Sequence, residues 1–300
     1  MARPALAATR AVQILNFLAA HPGEAFTLSD IVHRLDINVA STHAILAVLT
    51  ETGYLARHPR HRTYTLGPSL VAVGSAALEQ HPAIDEARSE ARRLSEALDL
   101  DVVITAAVGD EVVFVARSGS HQPRGVPTHV GQRMPLLPPL GSVYFAWAPE
   151  EEVAAWLDRH PTSTAAAVAA FRAAIDVVRD RGFAAALEAD RRRDLGRALE
   201  DLAERPSTPG DRGAIELLIE DLARDAYQLN EIDPKARYDV STMAAPVFGP
   251  AAEVVLAINL VGFAPGLTGK DVIAYGEQAR GAGLVVTKRT RGRLPEGFAG

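Results

Sequence analysis

The stretch Thr27-Leu28-Ser29-Asp30-Ile31-Val32-His33-Arg34-Leu35-Asp36-Ile37-Asn38-Val39-Ala40-Ser41-Thr42-His43 decides how the front of this chain is read. Thr27 with Asp30 three residues on is a capping-box start, with Asp in place of the usual Glu or Gln. Leu28, Ile31, Val32 and Leu35 then share one helical face. Asp36-Ile37 makes a tight turn, and Asn38 is placed to cap a third helix running to about Thr52. Ile45, Val48 and Leu49 are expected on its inner face, and Gly53 stops it. Upstream, Ala11, Ile14, Leu15 and Leu18 recur at helical spacing, so Arg10 to Ala20 reads as the first helix, ended by His21-Pro22-Gly23. Downstream, Gly53 to Arg57 and Thr63 to Gly67 read as two strands around a basic turn.

Three short helices followed by a hairpin is the order of a winged helix-turn-helix, here over residues 5–67. In that arrangement the third helix fits the major groove of double-stranded DNA and the hairpin sets basic side chains beside phosphates. Arg57, Arg60 and Arg62 would each neutralise about one phosphate and make binding salt-dependent. The helix pattern alone also fits a small helical domain used for protein contacts.

Composition frames this reading. The chain has 300 residues, enough for two domains, and is 48% apolar. Its net charge of −6 runs against the basic balance expected of a nucleic-acid binder. The segment up to Gln80 is about neutral, however, and the acidity belongs to the rest. Cysteine is absent, which removes disulfides and thiolate metal sites. No apolar run approaches the roughly 18 residues of a membrane span, and the N-terminus has no signal-peptide pattern, so a cytoplasmic protein off the membrane is expected. None of the H-E-x-x-H, G-x-S-x-G, Walker or dinucleotide glycine patterns occurs. The nine His are scattered, and His58 and His61 flank the basic turn rather than carboxylates. No catalytic residue, metal or cofactor is expected.

Arg10-Ala11-Val12-Gln13-Ile14-Leu15, Leu28-Ser29-Asp30-Ile31, Ser41-Thr42-His43-Ala44-Ile45-Leu46, Leu49-Thr50-Glu51-Thr52-Gly53-Tyr54-Leu55 and Tyr64-Thr65-Leu66-Gly67 resemble the IclR family of bacterial transcriptional regulators. Gly131-Gln132-Arg133-Met134-Pro135 with Leu140-Gly141-Ser142, Arg181-Gly182-Phe183 and Met243-Ala244-Ala245-Pro246-Val247-Phe248 follow in the order of that family's effector domain. The resemblance implies a GAF-like effector-binding domain, a homodimer or tetramer, and repression or activation at an operator controlled by a small molecule. The family commonly starts its recognition helix with Pro or Ser, then Lys or Arg, and often has Arg after the His. Asn38, Val39 and Ala44 stand there instead, which removes the usual bidentate base readers. Ser41, Thr42 and His43 are the polar set that remains, with Thr42 matched to a thymine methyl and His43 to a base or phosphate.

By the same resemblance the effector lies against the central sheet, facing the helix after the Gly-x-x-x-Pro stretch. Met134, Leu140, Gly141, Ser142, Thr242, Asn259 and Val261 are the positions carried over. The N–H groups of Gly141 and Ser142 would receive a carboxylate if they open a helix. Ala186, Thr242, Asn259 and Val261 replace the Asp, Cys and Ser of members that bind small oxo-acids. Fewer donors reward buried apolar surface, so a more apolar or aromatic effector is expected. A second reading stays open: a small-molecule or protein-binding sensor or scaffold of this fold that no longer reads DNA.

Residues 68–82 read as a linker helix opened by Pro68, and His81-Pro82 as its break. Residues 83–290 read as the α+β effector domain. Its expected helices are Asp85 to Leu98, Leu140 to Trp147, Glu151 to Arg159, Ala165 to Arg181 and Thr268 to about Leu284. Its expected strands are Val102 to Val108, Val112 to Arg117, Phe183 to Glu188, Ser241 to Phe248 and Glu253 to Val261. A charged insertion occupies about 190–237, with a helical stripe of Ile215, Leu218, Ile219, Leu222, Ala226 and Leu229. Residues 291–300 read as a solvated basic tail.

Overall fold

The computed structural model describes residues 5–119, 130–159, 164–188, 194–195, 198, 213–215, 217–219 and 227–298. The chain divides into two compact units, Met1–His81 with Ala198–Ala214, and Pro82–Arg197 with Ile215–Gly300.

The first unit runs α1 (Leu6–Ala20), β1 (Phe26–Thr27), α2 (Leu28–Leu35), α3 (Val39–Glu51), β2 (Leu55–Arg57), β3 (Thr63–Leu66) and α4 (Ser69–Gln80). The capping box forms. Thr27 N donates to Asp30 Oδ2 at 2.8 Å, and Asp30 N donates to Thr27 Oγ1 at 3.2 Å. The Thr27 hydroxyl holds the Asp30 carboxyl below the usual carboxylate range. Asp36 ends α2 in the left-handed region at φ +48°, and Asn38 Oδ1 accepts from Ala40 N and Ser41 N to start α3. Ile14, Phe17, Leu18, Phe26, Ile31, Ile37, Leu46, Leu55 and Tyr64 form one core. Val48 is not part of it and is 58% exposed. It lies about 200° round the helix from fully buried Leu46, so it falls on the opposite face. Two-residue β1, too short for any alternation signal, adds to the hairpin in the order β1-β3-β2. The hairpin closes on Gly67, where a Cβ would meet the Gly53 carbonyl oxygen at 2.2 Å, so no larger residue fits.

The second unit runs α5 (Pro82–Leu98), β4 (Asp101–Val108), β5 (Glu111–Ser118), β6 (Arg133–Pro135), α6 (Ser142–Phe145), α7 (Glu150–Leu157), α8 (Ala165–Arg181), β7 (Ala184–Leu187), β8 (Arg237–Tyr238), β9 (Val240–Phe248), β10 (Val254–Val261), β11 (Leu267–Thr268) and α9 (Gly269–Arg289). Six strands pair antiparallel in the order β6-β5-β4-β10-β9-β7. Strand alternation splits the interior into two layers. Leu256, Ile258 and Leu260 of β10 face α5 and α9, packing with Ala91, Leu94, Val272, Ala279 and Val286. Ala257 faces the other way, with Val143, Tyr144, Trp156, Phe171 and Ile175 of α6, α7 and α8. The result is the expected α+β arrangement of sheet and helices. Gly283 lets α9 lie on β9, since a Cβ there would meet the Pro246 carbonyl oxygen at 2.2 Å.

Several local expectations give way. His81-Pro82 does end α4 after Gln80, but the next helix starts at Pro82 rather than at Asp85, with Pro82 at a first position where its missing N–H costs nothing. The helix expected over Leu140 to Trp147 shrinks to the single turn of α6, with Leu140 outside it and Gly141 left-handed at φ +89° just before it. In the insertion, Ile215 and Ile219 are buried as the helical stripe requires, while Leu222 and Ala226 lie outside the described residues. Leu229 is not on that helix. Tyr227 to Leu229 run extended beside β7, with Leu187 N to Tyr227 O at 2.8 Å and Leu229 N to Ala185 O at 2.9 Å. The tail is not free in solvent through Arg293 and Phe298. Arg293 N bonds to Gly249 O at 3.0 Å, and the Phe298 ring packs 5.2 Å from Trp147 and 5.1 Å from Phe248.

Candidate functional site

On the first unit, α3 and the β2–β3 wing are the surface of interest. The wing tip is built by its own side chains. His58 Nδ1 accepts the backbone N–H of Arg60 at 3.2 Å and of His61 at 3.1 Å, so the neutral ring carries its proton on Nε2. Arg62 N donates to His58 O at 2.9 Å, and Arg62 sits at φ +55°. This tight turn leaves Arg57, Arg60 and Arg62 exposed, with the Arg57 guanidinium 5.7 Å from the Tyr64 ring centre. Of the polar set on α3, only His43 is exposed. Ser41 Oγ is half-buried and accepts from Arg10 at 2.9 Å. Thr42 is fully buried, its hydroxyl donating to Asn38 O at 3.0 Å, so it cannot touch a thymine methyl.

On the second unit, the face of the sheet turned toward α6 gathers part of the expected effector site. Thr242 of β9 pairs with Val261 of β10 and Ala186 of β7, and Asn259 sits two residues from Val261 on the same face. Asn259 Nδ2 donates to Val103 O, Thr105 Oγ1 and Ala257 O at 3.0, 3.0 and 3.1 Å. Its Oδ1 is left as an acceptor without a partner among the described residues. Thr105 Oγ1 in turn lies 2.7 Å from the hydroxyl of buried Tyr144. Ser142 Oγ is buried and accepts from Gln228 Nε2 at 3.0 Å, and Gln228 bridges to Ala186. Thr105, Tyr144 and Gln228 therefore belong to this cluster, although no local sequence pattern marks them.

The other carried-over positions lie on other elements. Met134 is on edge strand β6, three strands from β10, or about 14 Å at ordinary strand spacing, and its side chain packs against the layer that holds Val143, Tyr144 and Ala257. Leu140 is buried. Gly141 precedes a helix of one turn, which is too short to build the dipole that a carboxylate receptor at its N-terminus needs. Among the described residues no group of three or more His, Asp or Glu is arranged to hold a metal ion. No helix among them is long and apolar enough to cross a membrane.

Burial pushes the Tyr144 phenol well above its ordinary value, and the Thr105 hydrogen bond offsets this only partly. A phenol raised in the folded state contributes stability that is fully present below the unfolded value of about 10 and lost as pH rises above it. Denaturant unfolding of the intact protein between pH 8 and 11 should therefore show a loss of up to about 1.4 kcal/mol per pH unit above pH 10 that Tyr144→Phe lacks. Parallel profiles for the two proteins would contradict a neutral, buried phenol.

The family model for the IclR helix-turn-helix domain matches residues 7–59, and the model for the bacterial transcriptional regulator IclR C-terminal domain matches residues 75–193. The chain belongs to the IclR family. The second match stops just inside the charged stretch, so β9, β10 and α9 of this IclR-family chain lie beyond it. The HTH-type transcriptional regulator BhcR of Paracoccus denitrificans is 28% identical over 113 residues, 38% of this chain. The match spans only 40% of that relative's length. Two solved IclR-family structures share the fold over nearly the whole chain. One, from Alicyclobacillus acidocaldarius, is 17% identical, covers 96% of this chain and all of its own, and superposes with a TM-score of 0.66. The other, an IclR homologue from Microbacterium hydrocarbonoxydans complexed with 4-hydroxybenzoate, is 18% identical, covers 95% and 99%, and has a TM-score of 0.61.

Proposed function

We propose that this chain is a DNA-binding transcriptional regulator of the IclR type, gated by a small organic acid with substantial apolar or aromatic surface. The observation that carries the DNA reading is an exposed, capped helix α3 beside a wing whose three arginines all face solvent. Such a helix fits the major groove while the wing meets the phosphates. Helix α4 supports a homodimer or tetramer. None of its residues is buried, and Val71 is 71% and Val73 49% exposed, an apolar surface that a second copy would cover. Anisotropy titration of the intact protein against a duplex carrying the promoter next to its own gene, repeated across salt, tests the assignment. Affinity falling steeply with salt is expected. Salt-independent or absent binding would return the protein to the reading of a sensor without DNA.

The effector proposal rests on the face around Asn259. Ala184, Ala186, Ala244, Ala257 and Val261 share it with Thr242 and Asn259, and the nearby hydroxyls and amide of Thr105, Tyr144, Ser142 and Gln228 already bond to one another or to Asn259, so much of the surface offered is apolar. Calorimetry with a panel of aromatic acids, 4-hydroxybenzoate first, against pyruvate and glyoxylate should show tighter binding of an aromatic acid. Asn259→Ala should weaken binding of the hydroxylated acid by about tenfold, the worth of one hydrogen bond that Oδ1 accepts from the ligand hydroxyl. Preferential binding of pyruvate or glyoxylate would sink the apolar reading.

A further inference from the structure

Apart from His43, the outward stripe of α3 is hydrocarbon. Ala40, His43, Ala44, Ala47 and Val48 follow at steps of three, one, three and one, a continuous stripe, and every one is exposed, Val48 by 58%. Val39 at the helix start is 57% exposed. The helix contains no Arg, Lys, Asn or Gln. Its remaining polar side chains are spent or turned away: Thr42 is buried, Ser41 holds Arg10, Thr50 donates back to Leu46 O, and Glu51 is acidic at the far end. The bidentate donors that read guanine and the amides that read adenine are therefore missing from the surface that faces the groove.

One base offers the complement of such a surface. Thymine alone among the four presents a methyl group in the major groove, and alanine and valine side chains are of the size to pack on it. We infer that α3 selects its DNA site chiefly by thymine C5-methyl contacts from Val39, Ala40, Ala44, Ala47 and Val48, with His43 as the hydrogen-bonding reader. A nucleic-acid occupant is favoured over a protein for this face by charge. The strand that follows α3 leads directly into the wing carrying Arg57, Arg60 and Arg62, which suits a polyanion. This inference rests on the DNA-binding reading above.

The test uses the intact protein and duplexes selected from a randomised pool for tight binding. Each thymine of a selected duplex is then replaced by deoxyuridine, which deletes the methyl and keeps the hydrogen-bonding edges. Burying one methyl corresponds to about a fourfold change in affinity, so each contacted thymine should cost about fourfold and three together about sixtyfold. Ala44→Arg, at an exposed position outside the core, should change one selected base from thymine to guanine. Equal affinity for thymine and uracil duplexes, or selection of guanine by the unmodified protein, overturns the methyl reading while salt-dependent binding still upholds DNA binding. A protein that binds duplexes with salt dependence but enriches no sequence overturns it in the same way. Absence of salt-dependent binding to any duplex overturns both.

Discussion

Replacing Arg57, Arg60 and Arg62 together by alanine is expected to lower DNA affinity in 0.1 M salt by about two to three decades per wing, with the dependence of log K on log salt flattened by about 2.7. Each guanidinium that meets a phosphate releases close to one condensed counterion, so three contacts carry nearly three powers of the salt concentration. All three side chains are exposed, so little of the fold depends on them. The turn itself is held by His58 Nδ1 and by backbone bonds that alanine retains. The largest folding cost is the Arg57–Tyr64 contact, about 0.5–1 kcal/mol at an exposed site. A thermal melt near that of the parent would show that affinity, not folding, was lost. Phosphate contacts carry no sequence information, so the residual preference among duplexes should be unchanged. An unaltered salt slope would remove the wing from the interface.

The legible parts of this chain were those where one short pattern fixes one structure. Thr27 with Asp30, Thr268 with Asp271 and Asn38 marked three helix starts that form with the expected side-chain bonds. The apolar run of β10 marked a central strand, and its buried residues fall on both faces. Errors arose where the deciding contact is remote. Val48 fits an inward helical position by spacing, but packing around Leu46 sets the phase and turns it out. Thr42 has the chemistry of a base reader, yet the same phase buries it. Strand β6 is three residues long and exists because Val112 and Val113 pair with it. At the proposed effector face, Asn259, Thr242 and Val261 come together because β9 and β10 are neighbours in sequence and in the sheet. Tyr144 and Gln228 join them across 39 and 86 residues, to Thr105 and Ser142, which no window of sequence displays. Met134 is adjacent in sequence to the loop before α6 but belongs to the far edge of the sheet.

The phase of α3 that exposes Val48 also makes Leu46 the residue on which the first unit depends. Leu46 is fully buried, packed in a core whose described residues come from α1, β1, α2, α3, the wing and their connections. Truncation to alanine removes buried methyl groups and leaves a cavity, at about 2–5 kcal/mol. A domain of this size holds only about 0.05–0.15 kcal/mol per residue, so the loss is a large share of its stability. Its melting temperature should fall by about 10 °C or more, at about 4–8 °C per kcal/mol. The sheet of the second unit has separate cores, above and below β10, to which Leu46 contributes nothing. Calorimetric melting of Leu46→Ala should therefore show one transition moved down and another in place, with effector binding retained and DNA binding lost on warming. Val48→Ala, two residues away on the exposed face, should leave the melt unchanged within about 0.5 kcal/mol. Equal destabilisation by the two substitutions, or a single transition shifted as a whole by Leu46→Ala, would mean that α3 is rotated from the phase described or that the two units unfold as one.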